Sequence, residues 1–424
     1  MKMQIKKVQI DYKWVILITC FLMEFVCLGL CSSNPGLYMA AVVEALGIKR
    51  SAFSFGTSIR YITQVITALY FGTMIQRFGI RKMACVGLAS LVGSLFVRSA
   101  ATNIVQYYLG CVLWGLVIVF SGGTMASTIV RRWFHKDIGK YTGIVMSANG
   151  IGGAIGAQII SPIINNGETF GYRKAYILSG IIALSISIFI LLCLKENAEK
   201  ENDGSGNQKK KPRGAAWVGI PYSETRKKAY FYLTAALVFL TGISLQSIGS
   251  VSIMNMRDVG LSEEFIATTA TVSSLMLTVA KFMVGYIYDK KGLKFTLMMC
   301  ELAAALSFML KASLTNSTQG MVFAMTAVVL GSVAMPLETV MIPLLSNDLF
   351  GSASYTKVLG VFMAMNSLGL CLGSPLGDIY YDFFGTYAPC FWFFCGLMVV
   401  IIIAFRRVIS MAEKDKEAIL AKEE

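Results

Sequence analysis

Charge is scarce in this chain. Asp, Glu, Lys and Arg together make up 15% of its 424 residues, where a soluble domain carries roughly a quarter. Histidine is nearly absent: the single one, His135, lies in a loop. Ten cysteines are present, all within apolar stretches and none in a C-x-x-C pair. These shortages exclude a zinc site and a disulfide framework. They also exclude a nucleophile–histidine enzyme site, so no catalytic residue, metal or cofactor is assigned. The net charge is +14, yet the basic residues sit in short clusters between apolar runs. A nucleic-acid partner is therefore excluded, because phosphate binding needs them gathered on one face. The first apolar run, from Trp14 to about Val43, is too long for a signal peptide and lacks a cleavage site.

What the chain has in excess is apolar sequence, 55% of residues, and lipid is the solvent that accepts it. About 20 apolar residues cross a bilayer core. Helix-length runs fall at 14–43, 52–76, 83–101, 104–130, 138–164, 175–194, 230–256, 264–288, 293–313, 319–347, 356–380 and 386–405. The long fifth and tenth runs are expected to kink. With a cytoplasmic N-terminus, 29 basic residues fall in inside segments and 7 outside (Lys49, Arg50, Arg98, Arg173, Lys174, Arg257 and Lys311). The positive-inside bias thus places both termini in the cytoplasm, in a multi-pass protein of the plasma membrane. The stretch 195–229 is polar and rich in Gly, Ser, Asn and Lys, the composition of a cytoplasmic linker. It separates an N-terminal six-helix bundle (1–194) from a C-terminal one with a short tail (230–424). Lys209–Lys211 within it is read as a solvated loop rather than a lipid contact.

The two halves repeat. Lys140, Gly143, Asn149, Gly152 and Gly156 recur as Lys357, Gly360, Asn366, Gly369 and Gly373, all at an offset of 217. Gly36 and Gly47 recur as Gly249 and Gly260 at an offset of 213. Small residues at four-residue spacing let membrane helices approach closely. The run Gly150–Gly156 is not a dinucleotide fingerprint, since it lies inside an apolar helix rather than after a strand. The expected fold is all-α: twelve transmembrane helices in two pseudo-symmetric six-helix bundles.

After the second run stand Gly72, Gln76, Arg77, Gly79, Arg81 and Lys82; after the eighth stand Gly285, Asp289, Lys290, Lys291, Gly292 and Lys294. This pattern resembles the G-x-x-x-D-[RK]-x-G-[RK] loop signature of the major facilitator superfamily, at both expected places. The resemblance covers essentially the whole chain. It implies a secondary transporter working by alternating access, in which Gly72, Arg77, Gly79, Gly285, Asp289, Lys290 and Gly292 form a conformational latch on the cytoplasmic side. The first copy has Gln76 where the pattern has Asp, leaving Asp289 as the better latch. Arg131–Phe134 with Gly139–Gly143, and Tyr381–Tyr387, resemble loops of the monocarboxylate and oxalate–formate branches. That resemblance implies a small organic anion as solute, a carboxylate, carried by proton symport or anion exchange.

Charges inside apolar runs are costly unless they face a cavity or a partner. Lys281 stands one turn before the motif glycine, where those branches carry an Arg that binds the substrate carboxylate; Lys keeps the charge but not the bidentate fork. Arg60 is a second candidate for the anion, or else an internal partner of Glu24. Tyr38, after the break at Ser32–Gly36, and the polar Gln64 and Asn366 complete the candidate substrate-binding set. Gln64, Asn149, Gln246, Asn255 and Asn366 are equally suited to interhelical hydrogen bonds. Glu338, Glu24 and Glu301 are candidates for coupling to protons. Lys281 faces Ala68 in the repeat and Glu338 faces Gly122, so the halves share a scaffold and not a chemistry. The expected partners are the lipid bilayer, a small-molecule solute and protons. A polyspecific proton-coupled drug transporter is the alternative reading.

Overall fold

A computed structural model describes residues 12–31, 35–48, 50–134, 136–164, 170–195 and 219–423. Ser32–Asn34, His135 and most of the expected linker, Lys209–Lys211 included, lie outside the described residues. The described chain is helical, with no strand among the described residues.

Among the described residues, ten helical segments are long and apolar enough to cross a membrane. One of them, Glu264–Ala312, is two spans: Gly292, with φ 76° and ψ 176°, breaks it. Arg50–Phe78 adds a further span, being long enough at 29 residues but too polar to score as apolar. Twelve spans result. In chain order they are α1 (Tyr12–Leu30), α2 (Arg50–Phe78), α3 (Ile80–Ala100), α4 (Ile104–Trp133), α5 (Ile138–Ile164), α6 (Gly171–Cys193), α7 (Ala229–Ser250), α8 (263–291), α9 (293–312), α10 (Thr318–Phe350), α11 (Tyr355–Phe384) and α12 (Ala388–Glu423).

The polarity of α2 has a structural reason. Ile62, Ile66, Leu69 and Tyr70, spaced as one helical face, are at least half exposed and form its lipid stripe. Gln64, Thr67, Ala68 and Phe71 line the opposite, buried face. Thr63 and Thr67 return their hydroxyls to the carbonyls of Ile59 and Thr63, so helix-internal bonds satisfy them.

Kinks occur in α4 and α10. In α4 the helix breaks at Ser121–Gly122. In α10 the break follows Pro336, which withholds an amide from the helix, and the next turn, Leu337–Met341, is π-helical. α5 runs as one continuous helix over Ile138–Ile164, with Pro162 in its last turn. One expectation is corrected: Arg98 and Lys311, assigned to outside loops, are 3% exposed and lie within α3 and α9.

The repeated glycines make repeated contacts. Gly152 and Gly156 meet the backbone of Phe25 and Leu30 on α1; Gly369 and Gly373 meet that of Phe239 and Ile243 on α7. Gly143 abuts the Lys281 carbonyl on α8, and Gly360 abuts the Ala68 carbonyl on α2. The halves therefore join along two pseudo-equivalent seams, α5 with α8 and α2 with α11.

The motif glycines Gly79 (φ 82°, ψ 163°) and Gly292 end α2 and α8 in a backbone region essentially reserved for glycine. A Cβ at Gly292 would meet no atom within 4 Å. Gly292→Ala is thus expected to cost about 1–3 kcal/mol through conformational strain alone. It would be seen as a lowered melting temperature of the detergent-solubilised protein, without loss of solute affinity.

Candidate functional site

Each seam closes at the face that carries the basic motif loops. Asp289, at the end of α8, accepts hydrogen bonds from the backbone amides of Gly139 (2.9 Å) and Lys140 (2.6 Å). Those amides open α5, where helix N–H groups have no intrahelical partner. A carboxylate from one half thus caps a helix of the other. Nearby, Arg131 Nε donates to Asn347 Oδ1 at 2.6 Å, also across the halves, and its guanidinium stands 4.1 Å from the centre of the Tyr355 ring. In the first motif copy Gln76 and Arg77 are exposed, while Gly72 packs directly on Lys357. Only the second copy therefore supplies a charged cap.

Asp289→Asn is expected to weaken this closure. Charge-assisted bonds are worth about 1.5–3 kcal/mol each, so the closed-to-open ratio should drop by roughly tenfold or more. Spin labels at the exposed Lys136 and Lys290 would report it as a longer-distance population. Gln76→Asp, which completes the first copy, should move the distances the other way.

Deeper in the molecule the halves enclose a cavity of about 270 Å³. Glu24, Arg60, Gln64, Thr124 and Asn149 line it from the N-terminal half; Glu338, Thr339 and Asn366 line it from the C-terminal half. Local backbone irregularity places the acids. Glu24 immediately precedes the π-helical turn Phe25–Leu30 of α1, and Glu338 lies within the π-helical turn of α10. Such turns rotate side chains out of the regular helical register and recur at functional sites.

Ten buried side-chain N and O atoms have no protein hydrogen-bond partner among the described residues. Seven of them belong to this cavity: both Glu24 oxygens, Arg60 Nε, Thr124 Oγ1, Glu338 Oε1, Thr339 Oγ1 and Asn366 Oδ1. Buried polar groups are ordinarily paired, so this clustering marks a surface built to meet something polar.

The candidates named from the sequence divide. Glu24, Arg60, Gln64, Glu338 and Asn366 come together around the cavity. Lys281 does not line it: the side chain is 2% exposed and lies within electrostatic reach of both Glu24 and Glu338. Glu24 is thus paired electrostatically with Lys281 across the halves, not with Arg60. Tyr38 is buried in the N-terminal half, stacked on Tyr176 with ring centres 4.1 Å apart. Glu301 sits away from the cavity, and its electrostatic neighbour is Arg406 on α12. Asn255 donates to the Lys311 carbonyl at 3.0 Å, which makes it an interhelical tie. Thr124 and Thr339 were not read from the sequence. Hydroxyls in apolar helices usually bond their own backbone, and nothing in spacing separates these two from the rest.

Two six-helix halves, glycine seams and a polar cavity on the seam define a membrane transporter built from a duplicated bundle. The sequence profile of the Major Facilitator Superfamily matches residues 20–252 and 234–424. The chain belongs to that superfamily and is a multi-pass secondary transporter. It is 22% identical over 410 residues to Multidrug resistance protein 2 of Bacillus subtilis (strain 168), covering 96% of this chain and 97% of that one. It is 27% identical over 194 residues to the 4-hydroxybenzoate transporter PcaK of Pseudomonas putida, covering 44% of this chain and 41% of that one. The crystal structure of the superfamily transporter FucP in its outward conformation superposes with a TM-score of 0.73 at 14% identity, covering 94% of this chain and 99% of that one.

Proposed function

We propose that this transporter moves a small organic anion, a carboxylate, across the cell membrane by alternating access, with proton linkage through Glu24 and Glu338. The observation that carries this reading is the polar set around the cavity that lacks protein partners, in which Arg60 is the one cation among the described lining residues. Arg60 forms no ion pair among the described residues, and its Nε has no acceptor. A carboxylate would supply that acceptor through charge-assisted bonds. Lys281 is buried within electrostatic reach of two acids, so in this reading it balances Glu24 and Glu338 and does not bind the solute.

Glu24, Glu338, Lys281 and Arg60, two negative and two positive, balance when all are ionised. A solute anion entering beside them adds one negative charge and favours uptake of one proton by an acid, which gives symport a physical basis. The volume of about 270 Å³ falls just below the range of pockets that hold drug-sized molecules, roughly 300–1,000 Å³, so a compact acid suits it. The same basic-residue count places the linker and both termini in the cytoplasm; with Arg98 and Lys311 buried, the outside loops retain still fewer basic residues.

The second reading, a polyspecific exporter, has its own support. The relative that matches over nearly its full length is named for multidrug resistance, and two cavity carboxylates suit a cationic compound.

Uptake into proteoliposomes decides between them. Labelled benzoate, lactate and oxalate should accumulate with an inward proton gradient, and Glu338→Gln should remove the gradient dependence while leaving exchange of the preferred acid. If no acid accumulates and lipophilic cations are expelled instead, the exporter reading replaces this one.

A further inference from the structure

Among the described residues no carboxylate forms an ion pair with Arg60. Its guanidinium stands 4.3 Å from the centre of the Tyr61 ring and 4.6 Å from the Trp114 indole. The same indole has a second guanidinium at 4.6 Å, that of Arg98. Arg98 in turn lies 5.1 Å from the Tyr176 ring, which stacks on Tyr38. A column of alternating cations and rings thus runs from the cavity into the N-terminal half, drawing one member or more from α2, α4, α3 and α6 and from the helix Pro35–Leu46.

Two features make this more than packing. Trp114 is 3% and Arg98 is 3% exposed, yet Arg98 forms no ion pair among the described residues; Nε donates to the Ser94 carbonyl at 3.2 Å and Nη2 has no partner. A fully buried cation and a partly buried one therefore share one indole. Backbone contacts fix the arrangement. Gly115 lies against the Arg60 carbonyl and Thr63, and Gly110 lies against the Arg98 side chain, so larger residues at either place would push the helices apart.

A cation over an indole face is attracted by the ring quadrupole, and the attraction grows when water is excluded. The contact costs Arg60 little of its hydrogen-bonding capacity, because a ring occupies the flat face of the guanidinium and leaves its N–H edge free. An edge left free beside a cavity, on a side chain whose orientation is fixed, is a preorganised carboxylate receptor.

Building on the organic-anion reading, we propose that Trp114, backed by Arg98, is the positioning residue that presents the Arg60 guanidinium edge-on to the solute, and that affinity for a carboxylate follows the π-electron density of residue 114. Trp114 itself does not touch the cavity; it acts through Arg60.

The test uses the full-length transporter in proteoliposomes, with tryptophan analogues carrying one, two or three ring fluorines introduced at position 114. Fluorine withdraws π density with little change of shape. Benzoate is the charged probe, and benzamide, a competitor of the same shape, is the neutral one. The KM for benzoate should rise roughly threefold per fluorine, with Vmax held within about twofold and benzamide inhibition unchanged. Trp114→Tyr should fall between wild type and Trp114→Leu. A benzoate KM that is flat or falls along the series overturns the proposal, as does an equal shift for benzamide, which would mark a general packing effect. If wild-type protein neither transports nor binds benzoate or any other acid tested, the organic-anion reading fails as well, and the two failures are told apart by the wild-type arm alone.

Discussion

Arg60→Gln is expected to abolish saturable carboxylate uptake, with affinity falling about 30-fold to 4,000-fold. Truncating one partner of a desolvated, hydrogen-bonded charge pair costs about 2–5 kcal/mol, and each 1.4 kcal/mol is about tenfold. Gln fills much of the same volume and retains a donor, so the loss reports the charge and its fork rather than the fold. Arg60→Lys should be intermediate: it keeps the charge but gives up both the planar stack on Trp114 and the bidentate edge. Equilibrium binding measured by scintillation proximity, alongside melting temperature, checks this. Wild-type affinity in a folded Arg60→Gln protein would remove Arg60 from the site.

Lys281→Ala is expected to act chiefly on stability. The lysine is buried and lies within electrostatic reach of Glu24 and Glu338, one acid from each half. Removing the cation from a buried charge cluster leaves uncompensated acids and costs about 3–5 kcal/mol. The detergent-solubilised protein should melt markedly lower. Combining Lys281→Met with Glu24→Gln should recover part of that loss, because Glu338 is then the one acid of the trio left uncompensated. The sequence alone favours a different outcome, in which Lys281 grips the solute and its replacement removes uptake from a fully stable protein. The double variant separates the two: recovered stability without recovered binding would return Lys281 to the solute site.

Much of the fold was legible before any coordinates. The count of twelve spans follows from apolar run length, and the structure recovers it once α2 is admitted despite its polarity and α8 is parted from α9 at Gly292. The duplication was visible as five residues at one offset, and it proved to be a repeated contact: Gly152 against Phe25 and Gly369 against Phe239 are the same joint in two halves. Glycine is readable because close approach between helices admits almost nothing else.

The site was less legible, and the reason differs by residue. Arg60, Glu24 and Glu338 stood out because an ionisable group within an apolar run demands an explanation. Arg98 and Lys311 escaped because each lies close to a helix end, where hydropathy cannot separate a cation that reaches the interface from one buried in the bundle. Thr124 and Thr339 escaped because an α-helical reading assigns faces by regular spacing, and both lie next to breaks in that spacing, in α4 and α10.

The sequence by itself determined that the chain crosses the membrane, that it is two copies of one scaffold, where glycine must stand, and which few charges lipid would not tolerate. These are properties of single helices or of matched positions, and they are written in local order. Only the tertiary structure decided which charge meets which. Lys281 faces Glu24 from 257 positions away, and Arg60 shares Trp114 with Arg98, drawn from three different helices. Such pairings depend on helix rotation and on the π-helical turns that shift register. They are set by the packing of all twelve helices together, so no local pattern records them.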